Sequence, residues 1–92
     1  MKNKEIIEDG PYLSDMRPND TAIIYSVANG DLSKRLYDLG FVSGTRVECA
    51  ASAPFGGPNA YLIRGSLIAL RRSDAKAVKI GYISRGGKVK WA

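Results

Sequence analysis

Short runs of alternating or β-branched residues, separated by glycine, proline and asparagine, recur along this chain and predict β-strands. The expected strands cover residues 21–27, 45–51, 60–64, 67–71 and 76–83. Gly65 and Ser66 fall between the third and fourth strands, where a glycine supplies the positive φ that a tight hairpin turn requires. Short antiparallel strands hide their unpaired edges most easily by curling into a barrel. The pattern therefore predicts a mainly β fold, a small antiparallel barrel of about five strands.

One segment breaks the alternation and predicts a single short helix inserted between strands, over residues 31–39. Leu32, Leu36 and Leu39 recur there at helical spacing and form one narrow apolar stripe. We interpret Leu36 and Leu39 as core residues, because a small barrel needs apolar side chains to close its interior. One two-turn helix in a chain otherwise made of strands is an unusual arrangement, and it narrows the possible folds more than any other feature.

Both ends of this helix carry sequence signals. Asp31 or Ser33 can cap its start, because a short side-chain oxygen accepts a backbone N–H of the first turn. Gly40 is expected to end the helix in the left-handed conformation, which glycine adopts without steric cost. Phe41 then occupies the position from which a Schellman motif makes its apolar contact with Leu36.

The 92 residues are enough for one domain, and no repeat or internal linker divides them. We assign the domain to residues 12–83, with an extended leader over residues 1–11 and a basic, flexible tail over residues 84–92. No apolar run approaches the roughly 20 residues that a membrane-spanning helix requires. The apolar stretch near the N-terminus is too short for a secretory signal, so the chain is expected to be cytoplasmic.

The chain contains no histidine and a single cysteine, Cys49, and this composition excludes several kinds of site. Transition-metal sites are built largely from imidazole and thiolate ligands, so no metal site is expected. A serine or cysteine nucleophile would have no histidine as its base. Strand alternation places Cys49 with Val47 and Ala51 on one face, where a thiol behaves as a small hydrophobic group. We therefore predict a protein that is not an enzyme and holds no cofactor.

The net charge of +5 is concentrated in the C-terminal part of the chain. Residues 71–92 carry seven basic residues and one acidic residue, whereas residues 1–70 sum to −1. Two interpretations of the tail stay open: a solvated end, or a segment attracted to an anionic membrane surface. A nucleic-acid-binding module would spread cations and stacking aromatics over a strand face, so no nucleic acid is expected. A stand-alone nucleic-acid-binding module remains the alternative, and the basic C-terminal part is the feature that supports it.

Three motifs follow one another within residues 12–83. The first is Arg-Leu-Tyr-Asp-Leu-Gly-Phe over residues 35–41, the second is Ala-Pro-Phe-Gly-Gly-Pro over residues 53–58, and the third is Ile-Arg-Gly over residues 63–65. Together with Leu-Ser-Asp-Met-Arg-Pro over residues 13–18, their order resembles the FeoA family of ferrous-iron-transport accessory proteins. That family usually has proline where Ser43 stands and glycine where Asn19 stands, and both substitutes suit their turns.

The resemblance implies an SH3-like barrel that lies in the cytoplasm and acts beside FeoB, a membrane permease with a GTP-binding domain. It implies no catalytic activity and no bound cofactor. We accordingly expect a non-catalytic accessory protein that binds the cytoplasmic part of an FeoB-type permease and modulates ferrous iron uptake. Iron-dependent repressors of the DtxR type share this barrel, so a metal-responsive regulatory domain is a further alternative, although this chain has no helix-turn-helix ahead of the barrel.

The helix supplies the first group of residues that we predict to contact a partner. Lys34, Arg35, Tyr37 and Asp38 lie away from the apolar stripe. Exposed tyrosine and arginine commonly anchor protein interfaces, whereas the leucines of the stripe are expected to serve the core. We therefore expect the exposed face of the helix to form one contact surface.

The loop and the hairpin supply the second group. Pro54 restrains the chain around Phe55, so that Phe55 can enter a pocket of the partner at a low entropic cost. Folding of Phe55 back over the end of the barrel is the alternative. Arg64, beside the glycine of the hairpin turn, either holds a carboxylate of the partner or is solvated.

Overall fold

The computed structural model describes residues 11–86, and its five strands form one antiparallel sheet in the order β4-β3-β2-β1-β5. The strands are β1 (Thr21–Val27), β2 (Arg46–Ser52), β3 (Asn59–Ile63), β4 (Ser66–Leu70) and β5 (Val78–Ser84). Two helices, α1 (Asp31–Leu39) and α2 (Arg72–Ala75), and two 3₁₀ turns, Leu13–Asp15 and Pro54–Gly56, complete the described chain. Five antiparallel strands and the inserted helix over residues 31–39 are thus confirmed, and the four-residue α2 is a second helix beside the single one expected.

The sheet is bent rather than fully closed. Pairing register shifts twice between β1 and β5, and once between β2 and β3 at Cys49 and Ala51. Such bulges raise the local twist of a sheet. Ala51 is consequently exposed instead of sharing the buried face of Val47 and Cys49, as strict alternation predicted. Within residues 11–86, no ladder joins the edge strands β4 and β5, so the predicted barrel is open along that seam.

All five strands and α1 contribute to one apolar core. Tyr61 of β3 is the largest fully buried residue, and its hydroxyl donates to the carbonyl oxygen of Leu13 at 3.2 Å. Asn59 donates its side-chain N–H to the same hydroxyl at 3.1 Å. The only polar atom of this buried ring is therefore satisfied, which removes the cost that an unpaired hydroxyl would add in the core.

The start of α1 differs from the prediction. Gly30, with φ of 140°, occupies the N-cap position, and no side chain caps the first turn. Ser33 directs its hydroxyl backwards and donates to the carbonyl oxygen of Gly30 at 2.7 Å. Asp31 is already the first helical residue, one position too late to cap. The capping roles predicted for Asp31 and Ser33 are therefore wrong.

The end of α1 follows the predicted Schellman motif. Gly40 is left-handed, with φ of 108°, and the Phe41 N–H donates to the Leu36 carbonyl oxygen at 2.9 Å. The Gly40 N–H donates to the Tyr37 carbonyl oxygen at 3.0 Å, which completes the pair of bonds that defines the motif. Leu36 and Phe41 are both fully buried as a result.

Leu39 does not join them in the core. Its side chain is 38% exposed, whereas Leu36 is 0% exposed. Each helical residue turns by about 100°, so Leu39 lies about 60° from Leu36, at the border of the buried stripe. Its assignment as a core residue is wrong.

The hairpin between β3 and β4 turns one residue earlier than predicted. Arg64 and Gly65 are the two turn residues, and both are left-handed, with φ of 52° and 82°. Two consecutive left-handed residues define a type I′ turn, whose twist matches that of the flanking strands. Arg64 thereby adopts a backbone conformation that few residues other than glycine accept.

The first residues of the predicted tail are held by the domain. Asp20 is 2% exposed and accepts backbone N–H groups of Arg17 at 2.8 Å and Gly86 at 2.6 Å. Arg85 lies 3.4 Å from the same carboxylate and 4.0 Å from the ring centroid of Tyr82. Residues 84–86 are thus part of the fold and not a flexible tail. Residues 87–92, like residues 1–10 of the predicted leader, lie outside the described residues.

No helix within residues 11–86 is long and apolar enough to cross a membrane.

The different burial of the two leucines of α1 can be tested by substitution. Leu36→Ala removes a fully buried side chain and leaves a cavity, so we expect it to lower the free energy of unfolding by about 2–5 kcal/mol. Leu39→Ala, the matched control, removes a partly exposed side chain and should cost about 1 kcal/mol. Urea unfolding followed by circular dichroism measures both. Equal losses for the two variants would contradict the burial described here.

Candidate functional site

The loop between β2 and β3 presents Phe55 to solvent. The side chain is fully exposed, so the alternative that Phe55 folds back over the end of the sheet is wrong. Its backbone is left-handed, with φ of 58° and ψ of 36°, a conformation that is rare for a bulky residue. Pro54 precedes it, and the Gly57 N–H donates to the Pro54 carbonyl oxygen at 3.3 Å. The turn therefore fixes an apolar side chain outside the fold at a cost of about 1–3 kcal/mol in strain.

The predicted residues of α1 are all exposed but do not form one surface. Lys34, Arg35, Tyr37 and Asp38 are exposed, and Tyr37 retains 45% of its accessible surface. Each residue of a helix turns by about 100°, so side chains two positions apart point in nearly opposite directions. Arg35 and Tyr37 therefore lie on opposite flanks of α1. A partner that contacts one flank does not automatically contact the other.

Arg64 lies against the end of α1. Its Cδ atom is 3.0 Å from the position that a Cβ atom on Gly40 would occupy. The aliphatic part of Arg64 thus covers the left-handed glycine, while the residue as a whole is exposed. The structure brings Arg64 and α1 together, whereas Phe55 stands at the other end of β3. The five residues of β3 separate the two sites by roughly 13 Å of strand.

Between α1 and the edge strand β4 lies a groove that the sequence did not reveal. Its volume is about 220 Å³. Apolar side chains from both elements line it, and two arginines stand at its sides: Leu36 and Leu39 of α1, Ala69 and Leu70 of β4, with Arg35 and Arg71. The lining residues are about 30 positions apart in the sequence, and no local period marks them as neighbours. Within α1, the one sign of the groove is that Leu39, a leucine of the apolar stripe, is partly exposed beside it.

Burial affects two titratable groups of the core, the thiol of Cys49 and the hydroxyl of Tyr61. Cys49 is fully buried, and its burial raises the pKa of the thiol above its usual value, with the nearby charge of Asp20 adding to the effect. Burial also raises the pKa of the Tyr61 hydroxyl. A buried thiol with a raised pKa is a weak nucleophile, because the thiolate is the reactive form. Residues 11–86 contain no group of three carboxylate or cysteine side chains that could hold a metal ion.

Comparison with known proteins identifies the family to which this chain is similar. The FeoA domain family matches residues 12–81 of the chain. The Fe(2+) transport protein A/Fe(2+) transporter FeoB fusion protein of Porphyromonas gingivalis is 34% identical over 73 residues, or 78% of this chain. The chain spans only 9% of the length of that curated relative.

Solved structures share the fold. The FeoA protein of Stenotrophomonas maltophilia, an SH3 domain protein crystallised with zinc, is 32% identical, with a TM-score of 0.71 over 78% of this chain and 91% of its own. The FeoA protein of Chlorobium tepidum is 29% identical, with a TM-score of 0.73 over 89% and 81%. A manganese-dependent transcriptional repressor, 20% identical over 79% of this chain and 36% of its own, has a TM-score of 0.73 and shows the fold alone. The expected SH3-like fold is confirmed.

The state of Cys49 gives a direct test of the packing around it. Because burial both shields the thiol and raises its pKa, we expect Ellman's reagent at pH 8 to modify the native protein at least 100-fold more slowly than the urea-unfolded protein, a rough figure for a protected core thiol. The absorbance at 412 nm follows the reaction. A comparable rate in the two states would show that Cys49 is accessible and available for chemistry.

Proposed function

Since the chain belongs to the FeoA family, we propose that it is a non-catalytic accessory protein of ferrous iron uptake that binds the cytoplasmic part of an FeoB-type permease and modulates transport. The observation that carries this proposal is the fusion in Porphyromonas gingivalis, where a segment 34% identical to this chain shares a polypeptide with a Fe(2+) transporter. A covalent link raises the effective concentration of one module at the other, which favours modules that work in contact.

The chemistry of the chain supports action through contact. The sequence has no histidine, and its single thiol is buried with a raised pKa. Neither a nucleophile with a neighbouring base nor a set of soft metal ligands can be assembled from these groups. We infer a protein without catalytic activity or resident cofactor, which works in the cytoplasm beside the membrane-embedded permease.

Phe55 is the residue that we propose as the first anchor. An aromatic side chain that is already extended and conformationally restrained loses little entropy when a partner buries it. It also supplies a large apolar area, and aromatic residues carry much of the binding energy at interfaces. The Phe55 side chain is exposed to solvent, so the strained backbone conformation of this residue does not serve to pack it into the core.

Tyr37 on one flank of α1 is proposed as the second anchor. It is an exposed tyrosine on a regular helix, which fixes its position. Lys34, three positions earlier, lies beside it, and Asp38 lies between Lys34 and Arg35. Arg64, held against Gly40, is proposed to meet a carboxylate of the permease. These assignments make the turns on either side of β3 and the outer side of α1 the contact surfaces.

The alternatives have less support. The likeness to the manganese-dependent repressor is one of fold, so it assigns no metal response to residues of this chain. A nucleic-acid-binding function can be tested by salt. Phosphate contacts release counterions, so its affinity for nucleic acid would fall steeply as the salt concentration rises. Contact of the tail with a membrane surface stays a prediction, because residues 87–92 lie outside the described residues.

Binding to the permease tests the proposal. Isothermal titration of the wild-type chain against the purified cytoplasmic part of the FeoB-type permease from the same organism should show a saturable complex. Phe55→Ala and Tyr37→Ala should each weaken it by about tenfold or more, or about 1.4 kcal/mol. Both residues are exposed, so the melting temperatures should change little.

Matched controls separate the anchors from general surface effects. Ile83→Ala and Tyr25→Ala each remove an exposed apolar or aromatic side chain, 50% and 63% exposed, from β5 and β1. Both should bind as the wild type does. If the wild-type chain does not bind the cytoplasmic part, the proposed function is wrong; if the anchor and control variants all bind alike, the assigned surfaces are wrong.

A further inference from the structure

The open edge of β4 offers backbone hydrogen-bonding groups. Among the described residues, β4 pairs with β3 only. In this register, Ser66, Ile68 and Leu70 lie opposite Ile63, Tyr61 and Asn59. Residues flanking a two-residue turn exchange hydrogen bonds, and such pairs alternate along an antiparallel ladder. Leu67 and Ala69 therefore direct their N–H and C=O groups away from β3, towards the open edge.

Helix α1 runs beside this edge and forms the other wall of the groove. Leu39, 38% exposed, faces Ala69 and Leu70 across it. The volume of about 220 Å³ is below the roughly 300–1,000 Å³ of sites that enclose small ligands, and the groove suits one or two side chains of a larger partner. An exposed strand edge with a pocket for side chains beside it is the arrangement that binds extended peptides by strand addition.

The charges at the groove are predominantly positive. Arg35 of α1 and Arg71, which follows β4, flank it, and Asp74 is the one acidic residue in its lining. Both arginines are exposed, and neither forms an ion pair with any residue of the range 11–86. An arginine fork binds a carboxylate through two parallel hydrogen bonds. The groove is thus complementary to a segment that carries an acidic and an apolar side chain.

We propose that this groove binds an extended segment of the cytoplasmic part of the FeoB-type permease, which adds as a strand to the open edge of β4. One large apolar side chain of the segment enters between Leu39 and Leu70, and a carboxylate pairs with Arg35 or Arg71. The backbone of the segment bonds to Leu67 and Ala69. This inference rests on the proposed function and specifies a contact separate from Phe55 and Tyr37.

Overlapping synthetic peptides of 12 residues that tile the cytoplasmic segments of the permease provide the probe. We expect fluorescence anisotropy to identify a binding peptide that contains at least one acidic and one large apolar residue. Leu39→Ala and Arg71→Glu should each weaken its binding by about tenfold or more. They should also weaken binding of the intact cytoplasmic part of the permease.

Two matched controls stand beside these variants. Leu62→Ala removes a leucine that is 40% exposed, almost as exposed as Leu39, but does not line the groove. Lys76→Glu reverses a charge at the C-terminal end of α2, whereas Arg71 lies at its N-terminal end. Both should bind the peptide within about twofold of the wild type, because surface changes away from a site have small effects. Hydrogen exchange followed by NMR should show slower exchange of the Leu67 and Ala69 amides when the peptide is bound.

The outcomes separate this inference from the proposed function. If the intact cytoplasmic part binds but Leu39→Ala and Arg71→Glu leave its affinity unchanged, the groove is not the contact and the proposed function stands. If the peptide binds without protecting the Leu67 and Ala69 amides, strand addition is wrong. If neither the peptides nor the intact cytoplasmic part bind the wild-type chain, both fail.

Discussion

The left-handed conformation of Gly40 is the constraint on which the rest of the structure depends. It reverses the chain within one residue, so that the Phe41 N–H can reach the Leu36 carbonyl oxygen at 2.9 Å. Leu36 and Phe41 then enter the core together from α1 and from the segment that leads to β2. A β-carbon at this position would meet Arg64 at 3.0 Å, in a conformation that costs other residues about 1–2 kcal/mol.

Seating α1 in this way also determines which residues remain available for contact. Because Leu36 points into the core, Tyr37 emerges on one flank of the helix, and Arg35 and Leu39 emerge on the other. The second flank lies next to the open edge of β4 and creates the groove. The C-cap at Gly40 thus brings Leu36 and Phe41 into the core. It also leaves two different surfaces on one short helix: an aromatic flank with Tyr37, and an apolar flank with Leu39 that lies between two arginines.

Local sequence signals predicted the elements well and their relations in space poorly. The bounds of β1 and α1 match the prediction, since each is marked by its own residues and by glycine or asparagine at its ends. The predicted position of the hairpin turn is one residue too late, because no local sequence signal marks Arg64 as a left-handed residue. The helical period places Leu39 in the apolar stripe, but it does not tell how much of that stripe a neighbouring element covers, and Leu39 lies at the uncovered border. The groove joins residues from α1 and β4, and only the fold brings them together.

The positions of the two apolar features bear on how one partner could use both. Asn59, which follows the Phe55 loop, pairs with Leu70, which lines the groove. The loop and the Leu70 end of the groove therefore lie at the same end of the β3–β4 hairpin, whereas Arg64 lies at the opposite end. A segment bound along β4 would leave the groove near Arg71, at the end of the hairpin where the Phe55 loop lies. Two modest contacts made by one partner in this arrangement reinforce each other, because the first fixes the position from which the second forms.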